Sequence, residues 1–480
     1  MLHLLPRRNT TNIEVVQEML SNICTRPRNV PTIYTAFSST YQNNNNKTLP
    51  FNIQNTKSTQ VHKMKNTKIL KYGFVAYCIM LVCQLMLRFA LSFNNYIWQF
   101  ENWGFADWLI NFEGGFVRRG ILGQVILCMY RWFNIDIGQT LHIVSLLTTL
   151  ALIALVIALF IRKKLSVLIL PTVIMLGTFA INEIIHFRRD QLMLLIIFLI
   201  FYFYKKCITG SNKILHYLLF SITGIFVILV HEASFFCFVP FIFIHQCEKL
   251  QIKNALNSVL FLLPVIAAMG VCCIFKGDAA TADAIWEPYQ PYFIETYGNS
   301  LPIGKAVNAL TWETIPTMSD HLWKSYRFPC FIGWIIAFVT TFYLCANVNR
   351  VKLFSYEKKE ANSVSLTSIL LVQFISLLPM FTVLSCDLGR ITIYWTFTSF
   401  FIYALFGDTM EIPLLTALSK RINNCFNTTW LSSKRLYVFM IIAVACPLIF
   451  YTANQAYNTT TIGNSWRFIQ MISDIITSHR

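Results

Sequence analysis

The chain has 480 residues, of which 55% are hydrophobic and only 13% charged, with a mean hydropathy of +0.54 and a formal net charge of +17. Soluble domains carry roughly 25% charged residues, so an ordinary soluble protein is excluded, and the apolar content excludes a disordered one. The surplus of Lys and Arg falls in short clusters between apolar runs. That is the positive-inside pattern of a multi-span membrane protein rather than the basic face of a nucleic-acid binder.

Residues 1–63 form a polar segment with Asn43 to Asn46, many Ser and Thr, and no apolar run. They read as a disordered extension, with a start at Met64 as the alternative. The segment 64–71, rich in Lys, then leads into a multi-span domain over 64–453. Apolar runs at 73–94, 137–161, 165–183, 190–204, 213–230, 233–247, 254–275, 329–348, 363–385, 391–407 and 436–453 predict about eleven transmembrane helices. The run 120–133 is short and ends in Arg131-Trp132, as expected of an interfacial or re-entrant helix. The fold class expected is all-α, a polytopic membrane bundle with interfacial helices in the first outer loop and one large outer loop, 276–328.

With the residues near Lys65 to Lys71 inside, alternation places Arg162-Lys163-Lys164, Lys205-Lys206, Lys249 with Lys253, and Arg350 to Lys359 inside as well. Counting 120–133 as a span would break this agreement. The N-terminus is thus expected on the cytoplasmic side, and the tail 454–480 outside. The 14 cysteines are scattered, mostly inside apolar runs, and read as small buried hydrophobes. Only Cys330 and Cys386 fall near the outer face.

Chemistry concentrates in the outer loops. The first contains Glu101, Asp107 and Glu113 among Trp and Phe, then Gly114-Gly115, where the chain can turn sharply, then Arg118-Arg119. Arginine matches phosphate geometry in bidentate fashion and keeps its charge. The second loop carries Glu183, His186 and Arg188-Arg189-Asp190, and the third is the corner His231-Glu232. Position 235 is Phe, so the corner does not continue as the zinc-protease motif HExxH. The fourth has Asp387-Leu388-Gly389-Arg390. Each pair also has a plainer reading, as a lipid anchor, a polar hairpin corner or a local salt bridge. The large loop mixes Trp286, Tyr289, Tyr292, Tyr297, Trp312, Trp323 and Tyr326 with acids, a combination that suits sugar rings. Arginines and carboxylates converging on one membrane face suit a lipid-linked phosphate.

The first outer loop, from its Trp- and acid-rich start through Phe112-Glu113-Gly114-Gly115-Phe116-Val117-Arg118-Arg119-Gly120, together with His231-Glu232 and Asp387-Leu388-Gly389-Arg390, resembles bacterial multi-span surface-polysaccharide proteins. These are the GT-C glycosyltransferases and the O-antigen or capsule repeat-unit polymerases. The resemblance covers roughly residues 64–453. It implies transfer of sugars from a polyprenyl-(pyro)phosphate donor to a lipid-linked or growing glycan acceptor at the outer face of the bacterial inner membrane. Asp107, or else Glu113 or Glu232, would act as base. Arg118, Arg119, Arg188, Arg189 and Arg390 would bind phosphate, with His231 and Asp387 orienting substrate. No cofactor and no resident metal are expected, although a divalent ion stays open. Expected partners are the bilayer and other polysaccharide-assembly membrane proteins, and no nucleic acid. The chain departs from typical GT-C enzymes in lacking a separate C-terminal soluble domain. Rival readings are a flippase for the same lipid-linked glycans, a membrane acyltransferase with His231 as base, and a purely structural subunit.

Overall fold

The computed structural model describes residues 103–163, 188–248, 255–311, 341–346, 366–384 and 388–406, scattered single positions such as Phe100, and residues 449–452 and 455–458. Most of the first apolar run, most of the 165–183 and 329–348 runs, and the segments holding Glu183, His186, Trp312, Trp323, Tyr326, Asp387, Cys330 and Cys386 lie outside the described residues.

The architecture is helical. After a one-turn helix, Trp103–Ala106, and a 3-10 turn, Asp107–Leu109, come α1 (Gly120–Phe133), α2 (Ile137–Lys163), α3 (Asp190–Thr209), α4 (Lys213–Val230), α5 (Ser234–Glu248) and α6 (Ala255–Ile274). The large loop adds two short helices, α7 (Ala279–Trp286) and α8 (Gln290–Tyr297), and the chain continues with α9 (Leu366–Ser376), α10 (Leu378–Thr382) and α11 (Leu388–Phe406). Strands β1 (Ile449–Thr452) and β2 (Gln455–Asn458) form an antiparallel hairpin, with Thr452 opposite Gln455.

Among the described residues, α2, α3, α4 and α6 are long and apolar enough to cross a membrane. A hydrocarbon core of ~30 Å needs about 20 helical residues. The second of these runs past the expected 190–204, out to Thr209. These helices also expose apolar side chains on one face, such as Leu256, Leu260 and Leu263 on α6 and Leu218 and Ile222 on α4. Outward apolar faces of this kind are costly in water and natural in lipid.

Three expected spans differ in the structure. The 363–385 run breaks into α9 and α10, because Pro379 sits at the start of the second piece. The 233–247 run forms α5, whose 15 residues, with Pro240 inside, fall short of the ~20 that a straight span needs. The end of the 436–453 run is strand β1, whose Ile, Phe, Tyr and Thr favour extended backbone. α1 has 14 residues, about 21 Å at 1.5 Å per residue, which is short of a span, as expected.

Two cores result. The bundle core joins Phe201, Tyr204, Phe220, Phe238, Phe241, Trp395 and Phe401 from α3, α4, α5 and α11. The second core is built by two loops far apart in the chain. Phe105, Trp108, Leu109 and Ile110 of the first loop pack with Ile285, Trp286, Tyr289 and Phe293 of the large loop. Asn111 Nδ2 donates to Ile285 O at 2.9 Å, Trp286 Nε1 to Leu301 O at 2.9 Å, and Tyr289 Oη to Gly123 O at 3.2 Å. Small residues make the approach possible. A Cβ on Gly123 would stand 2.0 Å from Ile110 O, and one on Gly304 would stand 2.5 Å from Phe100 O.

This second core corrects one expectation. Trp286, Tyr289 and Tyr292 are almost fully buried, so their faces are occupied by protein and do not offer a platform for sugar.

Candidate functional site

Four helices begin at one end of the bundle. Arg119 is the N-cap residue of α1, Arg189 is the N-cap of α3, the corner His231-Glu232 precedes α5, and Arg390 lies in the first turn of α11. The far ends of the same helices carry Lys205, whose ammonium donates to Leu405 O, and His245, which bonds Tyr204. Asp107, Arg118, Arg119, Arg188, Arg189, His231, Glu232 and Arg390 thus meet at one end, and Lys205 lies at the other.

The site is a lattice of guanidinium–carboxylate pairs. Arg189, with its side chain wholly buried, donates through Nε to Asp107 Oδ2 at 2.9 Å and through Nη2 to Oδ1 at 2.6 Å. Its Nη1 also donates to Arg119 O at 3.0 Å. Arg119 grips both oxygens of Glu232, at 2.7 Å from Nε to Oε2 and through a short contact from Nη2 to Oε1. Arg390 donates to Asp190 Oδ1 at 2.6 Å, and Tyr394 Oη bonds the same oxygen. Arg118 lies 3.5 Å from Glu232 Oε1. The Arg188 guanidinium sits over the Trp103 ring, 5.8 Å from its centroid.

Backbone conformation supports this assembly. Gly115 turns the chain at φ +94°, and Gly114 lies tight against the Thr281 backbone, so the glycine pair serves protein packing. Arg119 has φ 72°, a left-handed conformation rare for a side chain with a Cβ. Its cost, about 1–2 kcal/mol, is offset by the two bonds to Glu232 and the bond to its own carbonyl.

Burial alone would raise the carboxyl pKa of Asp107, but the guanidiniums of Arg189 and Arg119 outweigh it and hold that carboxyl far below the usual range. Glu232 behaves alike: burial opposes ionisation, and Arg119 and Arg118 override it. His231 is the counterpart. Burial, reinforced by Arg119, Arg390 and Arg189 against Glu232, pushes its pKa down to about 3. Geometry agrees, since Nδ1 meets the Ala233 N–H at 3.2 Å and Nε2 meets Arg390 Nη2 at 3.2 Å. A neutral imidazole has one lone pair and accepts from one of these two donors, whereas an imidazolium accepts from neither, so the surroundings favour the neutral ring.

Glu113 does not join the cluster. It pairs with Arg131 at 2.7 and 3.0 Å on a more exposed surface, ~18 Å along α1 from Arg119 by helical rise. The plainer reading of Arg188-Arg189-Asp190 is a local salt bridge. In the structure the partners of Asp190 are Arg390 and Tyr394, because side chains one residue apart at a helix start diverge. Tyr394 was missed. Its signal was available in the sequence, since it stands four residues after Arg390 on the same helix face.

The arrangement suits an anion. Five guanidiniums, from Arg118, Arg119, Arg188, Arg189 and Arg390, face three carboxylates, from Asp107, Asp190 and Glu232, with His231 neutral. Among the described residues this leaves two positive charges in excess. The N-termini of α1, α3, α5 and α11 add partial positive charge, and the C-termini of α4 and α6 at the same end offset part of it. Among the described residues no group of three or more His, Cys, Asp or Glu is arranged to hold a metal ion. A comparison of the chain with known protein families, curated proteins and solved structures finds no match.

Proposed function

We propose that the chain is a membrane glycosyltransferase or glycan polymerase that uses a polyprenyl-(pyro)phosphate-linked sugar at the extracytoplasmic face of a bacterial inner membrane, with about eleven spans and the arginine cluster on that face. One observation carries the reading: an arginine-rich, net-positive cluster at one end of the bundle, assembled from five separate segments beside a two-loop cap. A phosphate anchored by a membrane-embedded tail would reach such a place, and guanidiniums there would stabilise the charge that develops on a leaving phosphate.

The roles of the acids change from those the resemblance implied. Asp107 and Glu232 have both oxygens engaged by arginine, which leaves neither oxygen open to take a proton. They position Arg189 and Arg119. Asp190 is also buried, and Arg390 and Tyr394 bond its Oδ1, but its Oδ2 carries no hydrogen bond, and it is the acid to which we assign the proton of the attacking hydroxyl.

The test is the glycan profile of cells lacking this gene, complemented with wild type or Asp190→Asn. Unextended lipid-linked units without long chains, uncorrected by Asp190→Asn, support the transferase. Complete lipid-linked units accumulating on the cytoplasmic leaflet would replace it with the flippase reading.

A further inference from the structure

Arg118 differs from Arg119, Arg189 and Arg390 in how its charge is met. Arg119, Arg189 and Arg390 each hold a carboxylate oxygen at 2.9 Å or closer. Arg118 has Glu232 Oε1 at 3.5 Å, an oxygen already taken by Arg119. Its Nε is buried and has no hydrogen-bond partner. Its side chain is nevertheless 20% exposed, so a ligand can reach it.

The backbone holds it in place. Arg118 N donates to Phe275 O at 3.2 Å, just past the end of α6, and Val117 before it is fully buried. Burial lowers the proton affinity of the guanidinium, and the pull of Glu232 does not restore it. A buried charge left so poorly compensated costs stability. Proteins keep such groups where function needs them.

We propose that Arg118 is the guanidinium that contacts the ligand's phosphate, and that Arg119, Arg189 and Arg390 are positioning residues already committed to carboxylates. This assignment rests on the phosphate-handling reading above. It divides the cluster into one docking arm and a fixed frame. An incoming phosphate oxygen meets the terminal nitrogens of Arg118 and displaces only its long 3.5 Å pair with Glu232, which Arg119 continues to hold. Displacing Arg119 would instead strand Glu232.

The division can be read from the sign of a stability change. The full chain in phosphatidylcholine nanodiscs is titrated with inorganic pyrophosphate while its melting temperature is followed. Wild type is expected to melt higher as pyrophosphate is added. Arg118→Gln is expected to match or exceed wild type without ligand and to bind pyrophosphate at least ~10-fold more weakly. Arg118→Lys recovers only part of the affinity, because an ammonium lacks the bidentate fork. Arg119→Gln lowers the ligand-free melting temperature, because it leaves Glu232 buried and unpaired.

If Arg118→Gln binds pyrophosphate as wild type does, the assignment to Arg118 falls and the phosphate reading stands. If wild type responds neither to pyrophosphate nor to polyprenyl phosphate in the disc, both fall. Adding phosphatidylglycerol separates the sources. Competition with pyrophosphate makes the natural phosphate that of a bilayer lipid headgroup, and its absence makes it that of the glycan carrier; Arg118 is the contact in either case.

Discussion

Arg189 binds both carboxylate oxygens of Asp107 across 82 residues of sequence, and both side chains are buried. The pair ties the start of α3 to the first loop at the floor of the cluster. Removing one partner leaves the other charged and enclosed, a penalty of about 3–5 kcal/mol. Asp107→Asn is therefore expected to lower the melting temperature sharply. Asp107→Asn combined with Arg189→Gln should recover part of the loss, and the coupling between the two is measured by a double-mutant cycle.

The neutral His231 makes stability depend on pH. Its folded pKa of about 3 lies below its ordinary value of 6.5. Between those values the unfolded chain binds a proton that the folded chain refuses, so stability rises with pH in that window. Acidification below 6.5 is expected to cost roughly 1.4 kcal/mol per unit, and His231→Gln should flatten the slope. Asp107 acts with the same sign lower down, with its contribution present above 3.8 and lost only as pH falls below it. Melting temperatures from pH 8 to pH 4 would check the His231 window.

Glu113 and Arg131 are partly exposed, and such pairs contribute about 0–1 kcal/mol. Glu113→Gln should express, melt close to wild type and retain activity. A large loss of activity with intact folding would return Glu113 to the site.

Gly123→Ala tests the second core without touching the cluster. The new methyl would meet the Ile110 carbonyl, a backbone atom that cannot swing aside. Overpacking of this kind costs about 1–3 kcal/mol. The expected result is a lower melting temperature together with faster proteolysis in the large loop.

The residues of the cluster were legible in the sequence because charged groups are rare near membrane spans, and each stood in an outer loop or at a span end. Their partners were not. Opposite charges attract without regard to sequence distance, so Asp190 could be paired on paper with Arg188 or Arg189, whereas it bonds Arg390, 200 residues away. The stretch with Trp286, Tyr289 and Tyr292 in the large loop departs from expectation for another reason. Trp, Tyr and acid content resembled a sugar platform, but Ala282, Ile285, Trp286, Tyr289 and Phe293 recur at helical spacing, and that periodicity marks a buried face. The break at Pro379 was visible in the sequence and was outweighed by the hydropathy around it.

The joint core of the two loops has a consequence for how the protein is made. Asn111 and Ile285, bonded to each other, are separated by 174 residues. At ribosomal speeds of 5–20 residues per second, Phe105, Trp108 and Ile110 emerge between about 9 and 35 s before the side chains that cover them exist. During that interval the apolar surface of the first loop has to be sheltered by something else, the lipid surface or the insertion machinery. Chains stalled before residue 276 would carry it naked, and they should be the species most readily captured by quality-control proteases.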